Sequence, residues 1–411
     1  MIKNLKRKIS KDELLSGSLI LFFMINLYNL LNYLFHFFMA RFLGPTDYGT
    51  LAVLFSFIYI FSVPSEALQN ITTVYTGKFL VLDKKGKIKA LLKKSLKKGF
   101  FVSLMLFFIF LPMAYLLSTY LNINWSLLAF TGLVLFFCFS LPIIRGILQG
   151  HKKFYNLGVS LLIEGGVKVV FAVALVLLGF GVFGGLTGVL IGLLLAFIAG
   201  MFFVKDILKT KEEKEEFKGI YGYSIPYFVS LLAIVLIYSL DVIFAKRFFS
   251  AELAGKYAVA SMLGKMIFFG TAAIGKAMFP LTSEKHEKGE NTGEVVRKSF
   301  KILGILTLTI LMAFILFPDQ LITILFGSEY AQTGILFILG VAFTLLSMSN
   351  LLLLYGLCVN RIKKSTYGLL FFVGLEVIAF YMFHSSLMEF AIAFLAVNFL
   401  MMIYSLWIVK K

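Results

Sequence analysis

Charge is scarce in this chain, and acidic charge is scarcest. Asp and Glu number 21 against 39 Lys and Arg in 411 residues, and charged residues total only 15% while hydrophobic ones reach 60%. With a mean hydropathy of +0.93, that balance excludes a soluble globular domain. Cysteine is nearly absent too. Cys138 and Cys358 are the two present, each in or beside an apolar run, which leaves nothing for a disulfide framework or a metal site. There is no Gly-x-x-x-x-Gly-Lys-Ser/Thr loop, so direct drive by ATP is not expected and no cofactor is implied. No large loop stands outside the apolar runs to carry acidic or arginine-rich chemistry, which argues against an enzyme. Nor is a cleavable leader expected in the first apolar run, which covers about 25 residues, beyond the ~7–15 of a signal core, with no small-residue cleavage motif after it.

What is present in quantity is long apolar runs. A membrane crossing needs about 20 mostly apolar residues for ~30 Å of hydrocarbon. Twelve runs qualify, from Ser16–Ala40 and Tyr48–Thr76, through Gly158–Phe180 and Val182–Val204, to Thr366–His384 and Leu387–Val409. Six precede the polar stretch Lys205–Ile220 and six follow it. The pattern predicts an all-α polytopic membrane protein of two six-helix lobes, 1–204 and 221–411, joined by a linker over 205–220.

The two halves also repeat. A shift of 206 residues aligns Arg41 with Arg247, Phe42 with Phe248, Gly49 with Gly255, Ala52 with Ala258 and Val53 with Val259. Further along, R-G-I-L-Q-G-H-K-K around Gly146 echoes Y-G-L-C-V-N-R-I-K-K around Gly356. Pseudosymmetric membrane bundles are a transporter design, because a site forms between the halves and rocking them alternates access. Within the sixth run, Gly184, Gly188, Gly192, Ala196 and Gly200 recur every fourth residue. Such a stripe predicts close approach of a neighbouring helix of the same chain. Pro64 lies two residues from Glu66 and predicts a broken helix beside an ionisable group.

The net charge of +18 invites a nucleic-acid reading, and the positions of the charges reject it. Only Arg41, Lys246, Arg247 and Lys256 fall on one side of the predicted topology, and Lys168, Lys265 and Lys276 within spans; the remaining Lys and Arg gather on the other side. That asymmetry is the positive-inside signature and places both termini in the cytoplasm of a cell membrane. One basic loop has a pattern of its own. Ile88, Leu91, Leu92 and Leu96 form a stripe backed by Lys87, Lys89, Lys93, Lys94, Lys97 and Lys98, consistent with a solvated helix or with contact to anionic lipid.

Ionisable groups at bilayer depth cost several kcal/mol and are functional candidates by default. Lys265 and Lys276, eleven residues apart, share a helix face roughly 16 Å apart along its axis. The 206-residue shift sets Glu66 opposite Ala272 on that same face, so Glu66 and the two lysines are expected to line one cavity. Glu164 and Lys168 stand at the spacing of an intrahelical ion pair, while Lys168 also aligns roughly with Glu376 across the repeat. Asp241 is expected either to pair with Lys246 or Arg247 or to bind a coupling ion. The expected substrate cations are therefore Lys265, Lys276 and Lys168, and the carboxylates open to H⁺ or Na⁺ coupling are Glu66, Glu164 and Asp241.

F-L-G-P-T-D-Y-G at Phe42–Gly49, the run D-V-I-F-A-K-R-F-F-S-A-E-L-A-G-K-Y-A-V-A from Asp241, and R-G-I-L-Q-G-H-K-K-F at Arg145–Phe154 resemble the polysaccharide-transport branch of the multidrug/oligosaccharidyl-lipid/polysaccharide exporter superfamily. The resemblance spans essentially the whole chain. It implies two lobes in a V around a central cavity that opens alternately to each side. It implies as substrate an oligosaccharide on a polyprenyl (pyro)phosphate, moved to the outer leaflet, with membrane lipids and other glycan-assembly proteins as partners. A drug or cation exporter of the same fold and a non-transporting scaffold of glycan assembly are the alternatives. The exporter predicts an acidic cavity, whereas the eighth span here is basic.

Overall fold

In the computed structural model, residues 2–213, 225–331, 334–359 and 367–410 are described. Among them there is helix and no strand: α1 (Ile2–Val81), α2 (Lys85–Leu121), α3 (Trp125–Gly132), α4 (Leu135–Gly150), α5 (Phe154–Leu175), α6 (Gly181–Phe203) and α7 (Lys205–Lys209), then α8 (Ile225–Phe248), α9 (Ala251–Glu287), α10 (Gly293–Leu316), α11 (Pro318–Leu325), α12 (Leu336–Cys358), α13 (Gly368–Met382) and α14 (Leu387–Lys410). Nine stretches of described residues are long and apolar enough to cross a membrane. Two of them, Ile20–Val81 and Phe154–Phe203, have 62 and 50 residues, room for two crossings each at about 20 residues per crossing. Gly44 interrupts the first at φ 71°; Gly179 and Gly181 interrupt the second at φ 90° and 51°. With the short apolar helix α13, these account for the twelve spans read from hydropathy. The break in α1 falls at Gly44, where positive φ suits glycine alone, and the helix runs through Pro64. The predicted interruption at Pro64 is thus corrected.

The chain divides into two compact units, Met1–Leu43 with Phe61–Tyr223, and Gly44–Ile60 with Ser224–Lys411. Residues 44–60, counted with the first lobe in the sequence, therefore pack with the second unit. Of the expected linker 205–220, residues 205–213 are described, as α7 and an extended continuation, and 214–220 lie outside the described residues.

In the first unit, hydrocarbon offers no hydrophobic drive between helices, so contact depends on how closely backbones approach. The glycine stripe of α6 provides that approach. A Cβ on Gly188 would lie 2.5 Å from the Ala172 nitrogen, and one on Gly192 would lie 2.6 Å from the Glu164 carbonyl oxygen. At the basic end of the unit an apolar cluster of Phe79, Ile88, Leu92, Ile147, Leu157 and Ile207 joins α1, α2, α4, α5 and α7. The Ile88–Leu92 stripe is consequently core. Lys89 donates to the Thr210 carbonyl at 2.7 Å, Lys93 pairs with Glu212 at 2.8 Å, and Gly86 leaves room for the Lys211 carbonyl, so 210–213 lie fastened along the start of α2.

In the second unit the two copies of the repeated motif meet. A Cβ on Gly49 would lie 2.9 Å from the Gly255 nitrogen, and one on Gly255 would lie 1.9 Å from the Pro45 carbonyl oxygen. The aligned glycines pack against one another because neither carries a side chain. Lys246 donates to the Thr50 hydroxyl at 3.1 Å, and Tyr48 and Tyr330 pack edge to face at 6.1 Å.

Candidate functional site

Each unit encloses a polar cluster at bilayer depth. In the first, helical period puts Ser160, Glu164 and Lys168 on one face of α5 and Tyr28, Asn32 and Phe35 along one side of α1. Arg145 reaches in from α4. Its Nη2 donates to Glu164 Oε2 at 2.7 Å and to the Ser160 carbonyl at 3.1 Å, and its Nε donates to Ser160 Oγ at 3.3 Å. The other carboxylate oxygen, Oε1, accepts from the Tyr28 hydroxyl at 2.6 Å. Lys168 donates to Asn32 Oδ1, whose amide is oriented by its own bond to the Tyr28 carbonyl at 2.9 Å. The Lys168 ammonium also lies 4.9 Å from the centre of the Phe35 ring, a cation–π contact that offsets part of the lost hydration. Both Arg145 and Lys168 are buried, at 9% and 5% exposure.

Gly192 makes this arrangement possible. Its missing side chain lets α6 press against the backbone of Glu164 and Lys168. Arg145 is the residue that sequence reasoning missed. It is absent from the cations expected within spans, Lys168, Lys265 and Lys276, although the apolar run that α4 forms carries it inward and buries it.

In the second unit, Tyr257, Ser261 and Lys265 follow one another at four-residue spacing on α9 and face Asp241 of α8. Lys265 Nζ lies 3.2 Å from Asp241 Oδ1, and the Ser261 hydroxyl donates to Oδ2. Asp241 is fully buried, with Lys265 3% exposed. Glu376 of α13 is also fully buried, within electrostatic range of both Asp241 and Lys265. Neither of its carboxyl oxygens has a hydrogen-bond partner among the described residues, nor does the Tyr257 hydroxyl. A buried carboxyl without a donor is costly as an anion.

The expected local pairing of Asp241 gives way to Lys265, which α9 brings back against α8 one helix later. Lys276, on the same face of α9, is exposed. Glu66 is half-buried in the first unit. A separate cavity of about 490 Å³ in the second unit is lined by Pro45, Thr46, Glu252, Lys256, Ser328, Glu329 and Ala331. It contains none of the buried cluster's groups, and Glu252 and Lys256 pair across one turn of its wall at 2.8 Å.

The profile of a family described as polysaccharide biosynthesis protein matches residues 38–334. Among curated proteins no relative matches the sequence. Solved structures with the same fold include an inward-facing multidrug resistance MATE family transporter of the MOP superfamily, 17% identical, with a TM-score of 0.79 and 93% of each chain covered. A eukaryotic MATE transporter aligns at a TM-score of 0.70 and 14% identity, covering 97% of this chain and 96% of its own. At such identities the likeness is one of fold: a multi-pass helical membrane protein built as two lobes.

Proposed function

The chain belongs to the polysaccharide biosynthesis protein family, and from that premise we propose that it is an alternating-access flippase, without enzymatic activity. Its cargo is an oligosaccharide on a polyprenyl (pyro)phosphate, carried from the cytoplasmic to the outer leaflet of the cell membrane for glycan assembly, with both termini in the cytoplasm. The observation that carries this reading is the charge count of the first cluster. Among the described residues of that cluster the cations are Arg145 and Lys168 and the carboxylate is Glu164, so two cations gather within the apolar spans. A (pyro)phosphate cannot cross hydrocarbon without cations and donors that replace its hydration. Lys168 is the group we assign to it.

Lys265 is a weaker candidate than its sequence position suggested, because Asp241 already neutralises it. Lys276, exposed on α9, is a further candidate for contact with the phosphate. Any coupling to H⁺ or Na⁺ is best supported at Asp241 and Glu376, two buried carboxyl groups sharing one lysine; Glu66 is a further candidate, and Glu164 is committed to holding Arg145. That same acidic count in the second unit favours a second reading, a cation exporter.

A leaflet-accessibility assay in proteoliposomes loaded with a labelled polyprenyl-pyrophosphate sugar separates the two. The flippase reading expects faster exposure of the sugar than in empty vesicles, with the rate lost in Lys168→Ala and kept in Lys168→Arg. Efflux of a cationic dye with no effect on the sugar would replace it by the exporter.

A further inference from the structure

We propose that the first third of α2 is a binding surface for anionic phospholipid headgroups, in the leaflet that the positive-inside pattern makes cytoplasmic. The inference does not depend on which cargo the protein moves.

α2 is one helix of 37 residues, about 55 Å long at 1.5 Å per residue. Only about 20 residues are needed for the hydrocarbon. From Phe100 to Leu121 the helix carries no charge at all, so the excess length is the lysine-rich start, 85–99. That start does not lie flat in the membrane surface. Its apolar stripe, Ile88, Leu91 and Leu92, is buried, and Ile88 and Leu92 pack in the cluster with Ile143, Ile147 and Ile207. The helix is thereby held upright, with Lys93, Lys94, Lys97 and Lys98 exposed while Lys89 is engaged by the Thr210 carbonyl.

Their position along the outer face identifies the partner. Spacings of three and four residues stack side chains in one column, and Lys93, Lys97, Phe101, Met105 and Phe108 form such a column. All five are exposed. Phe101, Met105 and Phe108 are 56%, 56% and 61% open, side chains that only lipid tails would solvate. The ammonium groups stacked directly beyond them sit at headgroup depth, with Lys94 and Lys98 alongside. Within Gly77–Lys98 the single acidic residue is Asp83. The pair from Lys93 to Glu212 is open to solvent on both sides and is weak for that reason. A soluble phosphate would meet the same charges, but nothing about it would use the phenylalanines beneath them. A phosphodiester whose acyl chains run down the same column uses both.

The test is native mass spectrometry of the full-length protein released from vesicles of phosphatidylcholine mixed with phosphatidylglycerol. Wild type is expected to retain phosphatidylglycerol preferentially. The triple variant Lys93→Gln/Lys97→Gln/Lys98→Gln should lose that preference by roughly fivefold per lysine removed, while the arginine triple at the same positions keeps it. Full retention by the glutamine triple overturns the proposal. So does displacement of phosphatidylglycerol by inorganic phosphate beyond the effect of chloride at equal ionic strength, since the surface would then read a free anion. Should the glutamine triple fail to insert, the wild type decides alone: a preference that falls as salt rises supports the surface, and one indifferent to salt refutes it.

Discussion

Removing the carboxylate of Glu164 tests the first cluster most directly. Glu164→Gln keeps the shape of the side chain and its acceptor toward Tyr28, but leaves Arg145 without its counter-charge. The two side chains are 11% and 12% exposed and 2.7 Å apart, so water screens them little. Breaking one partner of such a pair costs about 3–5 kcal/mol, because a charge is left buried and uncompensated. Within a membrane the loosened guanidinium finds other donors' partners more readily than in a dry soluble core, which puts the expectation at the lower end. About 3 kcal/mol in a unit of this size lowers the apparent melting temperature by roughly 6–12 °C. The assay is thermal unfolding in detergent, followed by loss of the monodisperse peak. The compensating variant is Glu164→Leu with Arg145→Met and Tyr28→Phe, the last because a buried hydroxyl stripped of its acceptor costs about 1–3 kcal/mol. It should recover most of the lost temperature and none of the transport. A Glu164→Gln protein as stable as wild type, or a triple variant no better than the single, would refute the account of this pair.

Four further outcomes follow from the geometry. Gly255→Ala, whose Cβ would lie 1.9 Å from a backbone oxygen, should destabilise by about 2–3 kcal/mol or abolish folding, whereas Gly77→Ala, with open space around it, should be stabilising by up to ~1 kcal/mol; thermal unfolding of both checks this. Gly192→Ala should reduce transport more than stability, because it displaces α5 at Glu164 and Lys168; equal losses in both would count against the placement. Lys265→Met should be destabilising by about 3 kcal/mol and be largely rescued by Asp241→Leu in the same chain, a double-mutant cycle read by melting. His151, in the turn after α4, is held below its usual value by burial and then by Lys153 and Lys85. The fold thus favours its neutral form, and its contribution is present above the ordinary value of 6.5 and is lost as pH falls from there through the lowered folded value, since the unfolded chain takes up the proton first. His151→Gln should flatten that part of the stability–pH curve.

The spans were legible because each is a property of consecutive residues. The α6 stripe was equally plain, its four-residue period being local, and so was the idea that its partner lies in the same chain. The pairings were harder. Asp241 and Lys265 are 24 residues apart and Arg145 and Glu164 are 19 apart; which face of one helix meets which face of the next depends on turn geometry that hydropathy does not encode. Arg145 was hidden further by its setting, since it opens a run containing Lys152 and Lys153 and a count of basic residues along the chain cannot tell a side chain turned inward from one in water. Lys265 and Lys276 do share a face of α9, as their spacing required. Their environments differ all the same: Lys265 lies against Asp241, whereas Lys276 is exposed on a stretch of α9 where Met278 and Thr282 are the buried side chains. The break in α1 falls at Gly44 rather than Pro64 for a related reason: a proline can be carried by a helix at small cost to its direction, whereas a residue at positive φ cannot.

The contact between Gly49 and Gly255 is also a contact between equivalent positions, since the 206-residue shift aligns the two. Each half of the chain thus supplies one side of the approach from the same place in its motif. The two sides are not equally tight: a Cβ on Gly255 would meet the Pro45 carbonyl oxygen at 1.9 Å, one on Gly49 the Gly255 nitrogen at 2.9 Å. Equivalent positions therefore sit under unequal steric constraint, and replacing them singly and together would measure how unequal.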